Sequence, residues 1–392
     1  MVIISCKNEQ NTVEPPSIES KYKLEGNVFS LKNGSKQFLD GISVRLNKDS
    51  VLTDTLGLFL FDSLSSGNYT LTIEDANLVK YDTSLIISAD INIEIELLEV
   101  ANDISWMKTT GIEGEFFYMV SHPDGYLLAS EFDYADGGDL FRLIVGESVW
   151  NYTGYDSIYA PLFITSNGII LTKTKISTDN GTTWIDNGIG PFTSFYEHGG
   201  IIYGTGYGSG TSPEKFNFVL STDGGINWIN HDLYWIPKPI IWCVIVNDLG
   251  EPFVFVHGGG LYKWSPDLFF EFIASLGTDL QTAIKDGNGY LYFKDSRIRR
   301  STDNGYNWQT INAMVNNGSG SWAINSKDHL FLSLAGIGVM RSVDNGDNWE
   351  IVNYNLPNLT IINLCIDEDD FLYASMSSDG GIFRTKESTI RK

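Results

Sequence analysis

The chain has 392 residues, enough for two domains or for a repeat array with a small companion module. Its 49 acidic against 26 basic side chains leave a net charge of −23, which argues against nucleic acid as a partner, because phosphate binding needs clustered Lys and Arg. With 39 glycines, 13% aromatic and 42% hydrophobic residues it is rich in strand and turn formers and lacks the composition of a disordered chain, so an all-β protein is expected.

Residues 1–21 contain Cys6, preceded by "MVIIS". An apolar stretch and a small residue before the cysteine resemble the end of a bacterial lipoprotein signal, although only five residues precede it. The resemblance implies a lipid on Cys6 as the chain's membrane contact. The following "CKNE" resembles signals that send lipoproteins of some Gram-negative bacteria to the outer surface. The rest of the segment, "KNEQNTVEPPSIES", is polar with two prolines and reads as a disordered tether. No later apolar run is long enough to span a membrane. Cys243 and Cys365 lie in the apolar runs "IIWCVIV" and "IINLCID" and read as small buried hydrophobes. No CxxC, no Cys/His cluster and no paired His spacing calls for a metal or cofactor.

Residues 22–98 alternate apolar and polar positions in short segments such as "GISVRLN", "GLFLFDSL" and "INIEIELLEV". Period two between Gly, Asn and Asp turns predicts a small antiparallel β-sandwich of about seven strands. Gly26, Gly41, Thr53, Asp54, Gly57, Phe59, Gly67 and Tyr69 follow the pattern of the carboxypeptidase regulatory-like domain, a transthyretin-type sandwich, which this segment resembles over roughly 75 residues. The resemblance implies a spacer or binding module with no catalytic residue, read here as a stalk.

From about residue 101 the rhythm becomes a long repeat: an apolar strand, a turn with Asn, Asp or Gly, and an aromatic strand. Seven copies occur, from "FYMVSHPDGYLLAS" to "CIDEDDFLYAS", spaced about 41 residues apart, the length of a four-stranded propeller blade. Four copies end in a Ser-x-Asp-x-Gly-x-x-Trp box: Ser177, Asp179, Gly181, Trp184; Ser221, Asp223, Gly225, Trp228; Ser301, Asp303, Gly305, Trp308; and Ser342, Asp344, Gly346, Trp349. The fourth repeat keeps a worn version, "KWSPDLFF", and the first and last keep only "DLFR" and "GIFR". The last copy lacks room for a fourth strand, while "NDISWMKTT" before the first copy matches the strands after the boxes. Residues 103–109 are therefore expected to complete the last blade, with Trp106 in the box-Trp position.

The box chemistry reads as architecture. Ser and Asp two apart point to one face; the carboxylate can accept turn N–H groups; "DNG" or "DGG" tolerates positive φ; and Trp packs between sheets while its N–H finds a local acceptor. The motif is that of the Asp-box, or BNR repeat, of sialidases and many other propellers. The resemblance covers residues 101–392 and implies a seven-bladed Asp-box β-propeller with peripheral, structural boxes.

That family includes enzymes. A sialidase needs three arginines on a carboxylate, a Tyr–Glu nucleophile pair and an Asp acid/base. Arg142, Arg300, Arg341 and Arg384 are repeat positions, Arg391 is in the tail, and the Arg-Ile-Pro motif is absent, so the triad is not found. The "DEDD" of Asp367–Asp370 reads as a solvated turn rather than a calcium site. The face opposite the boxes carries two long loops, "SEFDYADGGD" and "TGYGSGTSPEKFN", and the linker "NHDLYWIPKP". Tyr134, Tyr207, Tyr234 and Trp235 are the candidate stacking platform there, with Glu131, Asp133 and Asp136 as hydroxyl acceptors. The expected protein is a monomeric, non-catalytic cell-surface lipoprotein, outer-membrane or secreted, that binds a glycan or a surface protein. The alternative is a glycoside hydrolase using carboxylates on the loop-bearing face; a third reading is a structural or assembly factor.

Overall fold

The computed structural model describes residues 20–390 apart from 33–34, 76–77, 98–102, 132–137, 157, 159–160, 189–190, 208–215, 233–240, 257–259, 267–268, 276–281, 296, 313–319 and 378–379. Cys6 and the tether as far as residue 19 lie outside the described residues. All regular structure among the described residues is strand. The chain divides into two compact units, Met1–Glu99 and Val100–Lys392.

In the first unit, two four-stranded sheets enclose one core. The long strand Tyr22–Lys32 pairs antiparallel with Leu58–Leu64 and Ser35–Phe38 and parallel with Ile91–Glu96. The second sheet runs Asp49–Leu52, Ser43–Leu46, Gly67–Asp75, Leu78–Ile87. Alternation does the sorting: Val44 and Leu46, or Phe59 and Phe61, point inward while their neighbours face water. A Cβ on Gly26 would lie 2.3 Å from Ile93 O, so the crossing of three strands there requires glycine. Thr53 ties two segments by donating to Leu39 O and accepting from Ile42 N–H, and Asp54 Oδ1 caps its turn through Leu56 and Leu58 N–H.

The second unit contains, among the described residues, seven four-stranded antiparallel sheets, six of them meanders in chain order. They span residues 116–152, 162–186, 192–232, 241–274, 283–312, 322–351 and 361–385, and are called here the first to seventh sheets. The seventh takes its fourth strand from Trp106–Lys108, which pairs antiparallel with Phe383–Thr385. Trp106 is 2% exposed and donates Nε1–H to Val352 O at 2.6 Å. The first strand of the first sheet, Phe116–His122, lies against the first strands of both the second and the seventh, which closes the series into a ring. Second strands such as Pro252–Val256, Leu330–Leu334 and Leu372–Met376 are buried at every position. A sheet packed on both faces leaves its strands no solvent side, so apolar runs replace alternation.

Candidate functional site

Each box Ser is the last residue of a third strand, and the box turns the chain into the fourth. The Ser hydroxyl donates to Asp Oδ1 at 2.8–2.9 Å and accepts the Gly N–H at 2.8–2.9 Å in all four copies. The same Oδ1 accepts the N–H of Thr183, Asn227, Asn307 or Asn348 at 2.8 Å, and their side chains donate to Oδ2. The two residues after each Asp have positive φ, for example Asn304 at 61° and Gly305 at 90°. Bonds from Thr183 hold Asp179 below the usual carboxylate range, and those from Asn227 do the same for Asp223. Both oxygens of every box Asp are thus committed to its own turn. Trp184, Trp308 and Trp349 donate to the box Gly carbonyl at 2.9–3.0 Å. Trp228 departs from this: its Nε1 is buried without an acceptor among the described residues, while its ring packs on Phe192 and Phe195.

Repeated cations on the first, fourth, fifth, sixth and seventh sheets tie each of these to a neighbour, whereas Ile176 and Leu220 stand at that place in the second and third. Arg142 Nη2 donates to Asn180 O, Arg300 Nη1 to Asn345 O at 2.7 Å, and Arg384 Nη1 to Glu147 O at 3.1 Å. In the worn repeat Lys263 holds this place, with Nζ 3.0 Å from Tyr306 Oη of the next box. Arg341 binds Glu350 and, at 2.8 Å, Asp103, just before the closing strand. Burial opposes its charge, but Asp103 and Glu350 outweigh that and raise its pKa.

A second set of turns, between first and second strands, lies at the same end as the boxes. Asp286 Oδ1 accepts the N–H of Asn288 and Tyr290, and Oδ2 accepts Tyr292 O–H at 2.9 Å. Asp367 repeats this with Asp369, Phe371 and Tyr373. The same position is amide in Asn247 and Asn325 and hydroxyl in Thr165. In His122, Nδ1 accepts Asp124 N–H, which leaves the proton on Nε2 for Gly168 O at 3.0 Å. These turns also join neighbouring sheets, through Ser166–Glu197, Lys285–Asp248, Gly287–Asp328 and Ser326–Asp370. The sequence reading of "DEDD" as a solvated turn fits the exposed Glu368 and Asp369 and is corrected for Asp367 and Asp370, which are 4% and 6% exposed because adjacent sheets bring their turns together. Burial pushes the Asp367 carboxyl up. No group of three or more His, Cys, Asp or Glu among the described residues could hold a metal.

A cavity of about 520 Å³ opens at this end, lined by Ser121, Ile164, Ile324 and Ile366 from the first strands, with Glu368 and Asp370 from a turn. At the opposite end, Glu131 closes the strand Tyr126–Glu131, pairs with Phe116 and donates its N–H to Asp139 O at 2.9 Å. Tyr207 ends the strand Ile201–Tyr207 opposite Phe216. Tyr134, Tyr234, Trp235, Asp133 and Asp136 lie outside the described residues, so only two of the seven candidate binding residues have a described backbone position. Sequence reasoning missed the inter-sheet role of the arginines; their fixed place before the boxes was the available signal.

No family model matches the chain, and no curated protein matches it. Among solved structures it is similar to YCF48 bound to D1 peptide, at 14% identity over 74% of this chain and 99% of that one, with a TM-score of 0.53. It is also similar to the WD40 beta propeller domain of Doa1, at 11% identity over 72% and 97%, with a TM-score of 0.55. A third similar structure is the extracellular domain assigned to the hybrid two-component system BT3049 of B. thetaiotaomicron, at 12% identity and a TM-score of 0.56. There the likeness covers 86% of this chain but about half, 54%, of the other. Such likeness gives the fold: the unit of seven sheets is a β-propeller.

Proposed function

We propose that the chain is a non-catalytic binding propeller displayed at the bacterial cell surface, taking a glycan or a surface protein as ligand. In this reading the seven sheets are the blades of an Asp-box propeller, the first unit is a carboxypeptidase regulatory-like sandwich, and a lipid on Cys6 is the membrane contact. The protein acts as a monomer, and the ligand meets Tyr134, Tyr207, Tyr234 and Trp235, with Glu131, Asp133 and Asp136 accepting hydroxyls.

One observation carries the reading, the unequal use of the two ends of the propeller. At the box end the repeated Ser, Asp, Arg and turn residues are spent on their own turns and on the neighbouring sheet. The long connections all leave from the other end, between Glu131 and Leu140, Tyr207 and Phe216, and Asp232 and Ile241. Long connections on a rigid scaffold are where binding residues are placed. The likeness to YCF48 bound to D1 peptide and to the extracellular domain of a two-component system supports the same reading.

The test is a glycan array and a surface-protein pull-down with the full chain, beside a hydrolysis screen on the same glycans. Trp235→Ala should weaken ligand binding by roughly 1–3 kcal/mol while the melting temperature holds. Turnover of any bound glycan, abolished by removing one carboxylate, would replace this reading with the hydrolase one.

A further inference from the structure

A second groove lies between the first and second sheets, running along the outer strand from the box turn Asn180–Thr182 to Tyr155, whose carbonyl accepts the Leu140 N–H at 3.0 Å. It has a volume of about 360 Å³ and is lined by Arg142, Asn151, Tyr152, Thr153, Asn180 and Thr182 among others. That size is near the lower bound of roughly 300–1,000 Å³ for small-molecule pockets. Tyr152 is 50% exposed, with its ring centroid 5.7 Å from Phe141. Tyr155 stacks on the box Trp184 at 5.0 Å and closes the groove's inner wall.

The polar groups are arranged to accept. Asn151 Nδ2 donates to Val149 O, Thr153 Oγ1 to Leu140 O, Asn180 Nδ2 to Asp124 Oδ2, and Thr182 Oγ1 to Asp179 O. Each spends a donor on a neighbour, while its side-chain oxygen retains lone pairs that can accept. Arg142 supplies the cation: its guanidinium lies 4.3 Å over the Tyr126 ring, Nη2 donates to Asn180 O, and Nε is buried without a partner among the described residues. No Asp or Glu belongs to the lining itself; Asp124, which accepts from Asn180 at 3.2 Å, and Asp139 and Asp156, whose charges reach Tyr152, stand just outside it. Repeat architecture does not demand this set, since the outer strands Ile185–Asp186 and Glu350–Ile351 carry no tyrosine.

We infer that this groove is a saccharide-binding site distinct from the loop-end platform, sized for one or two sugar rings. A cationic ligand would meet the like charge of Arg142 in the lining, with carboxylates only outside it, and a polyanion would meet one arginine on a chain of net charge −23. A sugar matches: several hydroxyls donate to the four acceptors, one accepts from Arg142, and an apolar C–H face covers Tyr152.

The experiment is an array of immobilised mono- to tetrasaccharides probed with the full chain and four variants, each checked for its melting temperature. Tyr152→Ala should lower the affinity for at least one sugar by about tenfold or more, while Tyr152→Phe, which keeps the ring, should stay within about threefold. Thr182→Trp, which fills the groove from the box turn, should reproduce the loss without touching Tyr152. Trp235→Ala should leave that sugar bound. If Trp235→Ala alone removes every bound sugar, the groove is refuted and the loop-end reading stands. If neither Tyr152→Ala nor Thr182→Trp reduces any binding, or no sugar binds, the inference is overturned.

Discussion

Asp303 shows what one box carboxylate does. It accepts from Asn307 N–H at 2.8 Å, Asn307 Nδ2 at 2.6 Å and Ser301 Oγ at 2.8 Å. Asp303→Ala should cost about 1–3 kcal/mol of stability, toward the lower figure because the turn meets water, with binding per folded molecule unchanged; urea unfolding beside a binding titration checks both. Burial works against its charge, yet the bonds from Asn307 prevail and lower its pKa. A lowered folded pKa gives stability that is present above the unfolded carboxylate pKa and lost as pH falls through the folded value. The gap between wild type and Asp303→Ala should therefore close in acid. Asp367 has the opposite sign. Burial raises its pKa, so the ionised form costs stability above the folded value and the cost disappears as pH falls. Asn247 and Asn325 occupy the same turn position as amides, accepting the same pair of turn N–H groups. Asp367→Asn is thus expected to raise the melting temperature at pH 7 and to change little at pH 3. A lower melting temperature at pH 7 would show that the charge itself is needed.

At the scale of elements, the closing strand concentrates long-range dependence in three residues. Trp106–Lys108 is far in sequence from Ile382–Thr385, yet it supplies the seventh sheet's edge and puts Trp106 into a core with Phe331, Val352 and Phe383. Trp106→Ala removes a fully packed ring and the bond to Val352 O, and should cost about 3–5 kcal/mol by urea unfolding. The half-exposed Tyr152→Ala should cost far less, and equal losses would mean that closure is not specially demanding. This strand was legible in the sequence because "ISWMKTT" repeats the post-box pattern with its Trp. The repeat length, the boxes and the strand order were legible for the same reason, that periodicity is written many times over. The burial of Asp367 and Asp370 was not, because turn residues read as polar whether they face water or a neighbouring turn. The groove at Tyr152 was illegible too: it joins residues of one repeat to the box of the next, and only packing brings Asn151 to Asn180.

For the whole molecule, the governing quantity is its charge. A net −23 sets a field that favours basic partners at long range and repels acidic ones. Short-range recognition of a neutral sugar by rings and hydroxyl acceptors is indifferent to that field, since the sugar brings no net charge to the interface. The two classes of ligand proposed for the loop-bearing end can therefore be separated by salt. The Debye length shrinks from about 10 Å at 0.1 M to about 3 Å at 1 M, which extinguishes steering but leaves contacts intact. A glycan held by Trp235 and Tyr234 should bind within about twofold of the same affinity at both salt concentrations, measured by calorimetry. A basic surface protein should instead lose on-rate by about tenfold or more over the same range, with little change in dissociation. The acceptor-rich, ring-bearing candidates chosen at the loop end, and the acid-free lining of the Tyr152 groove, both lead to the first outcome. A steep loss of affinity with salt at either site would overturn recognition by stacking there and make the protein's acidity the binding determinant.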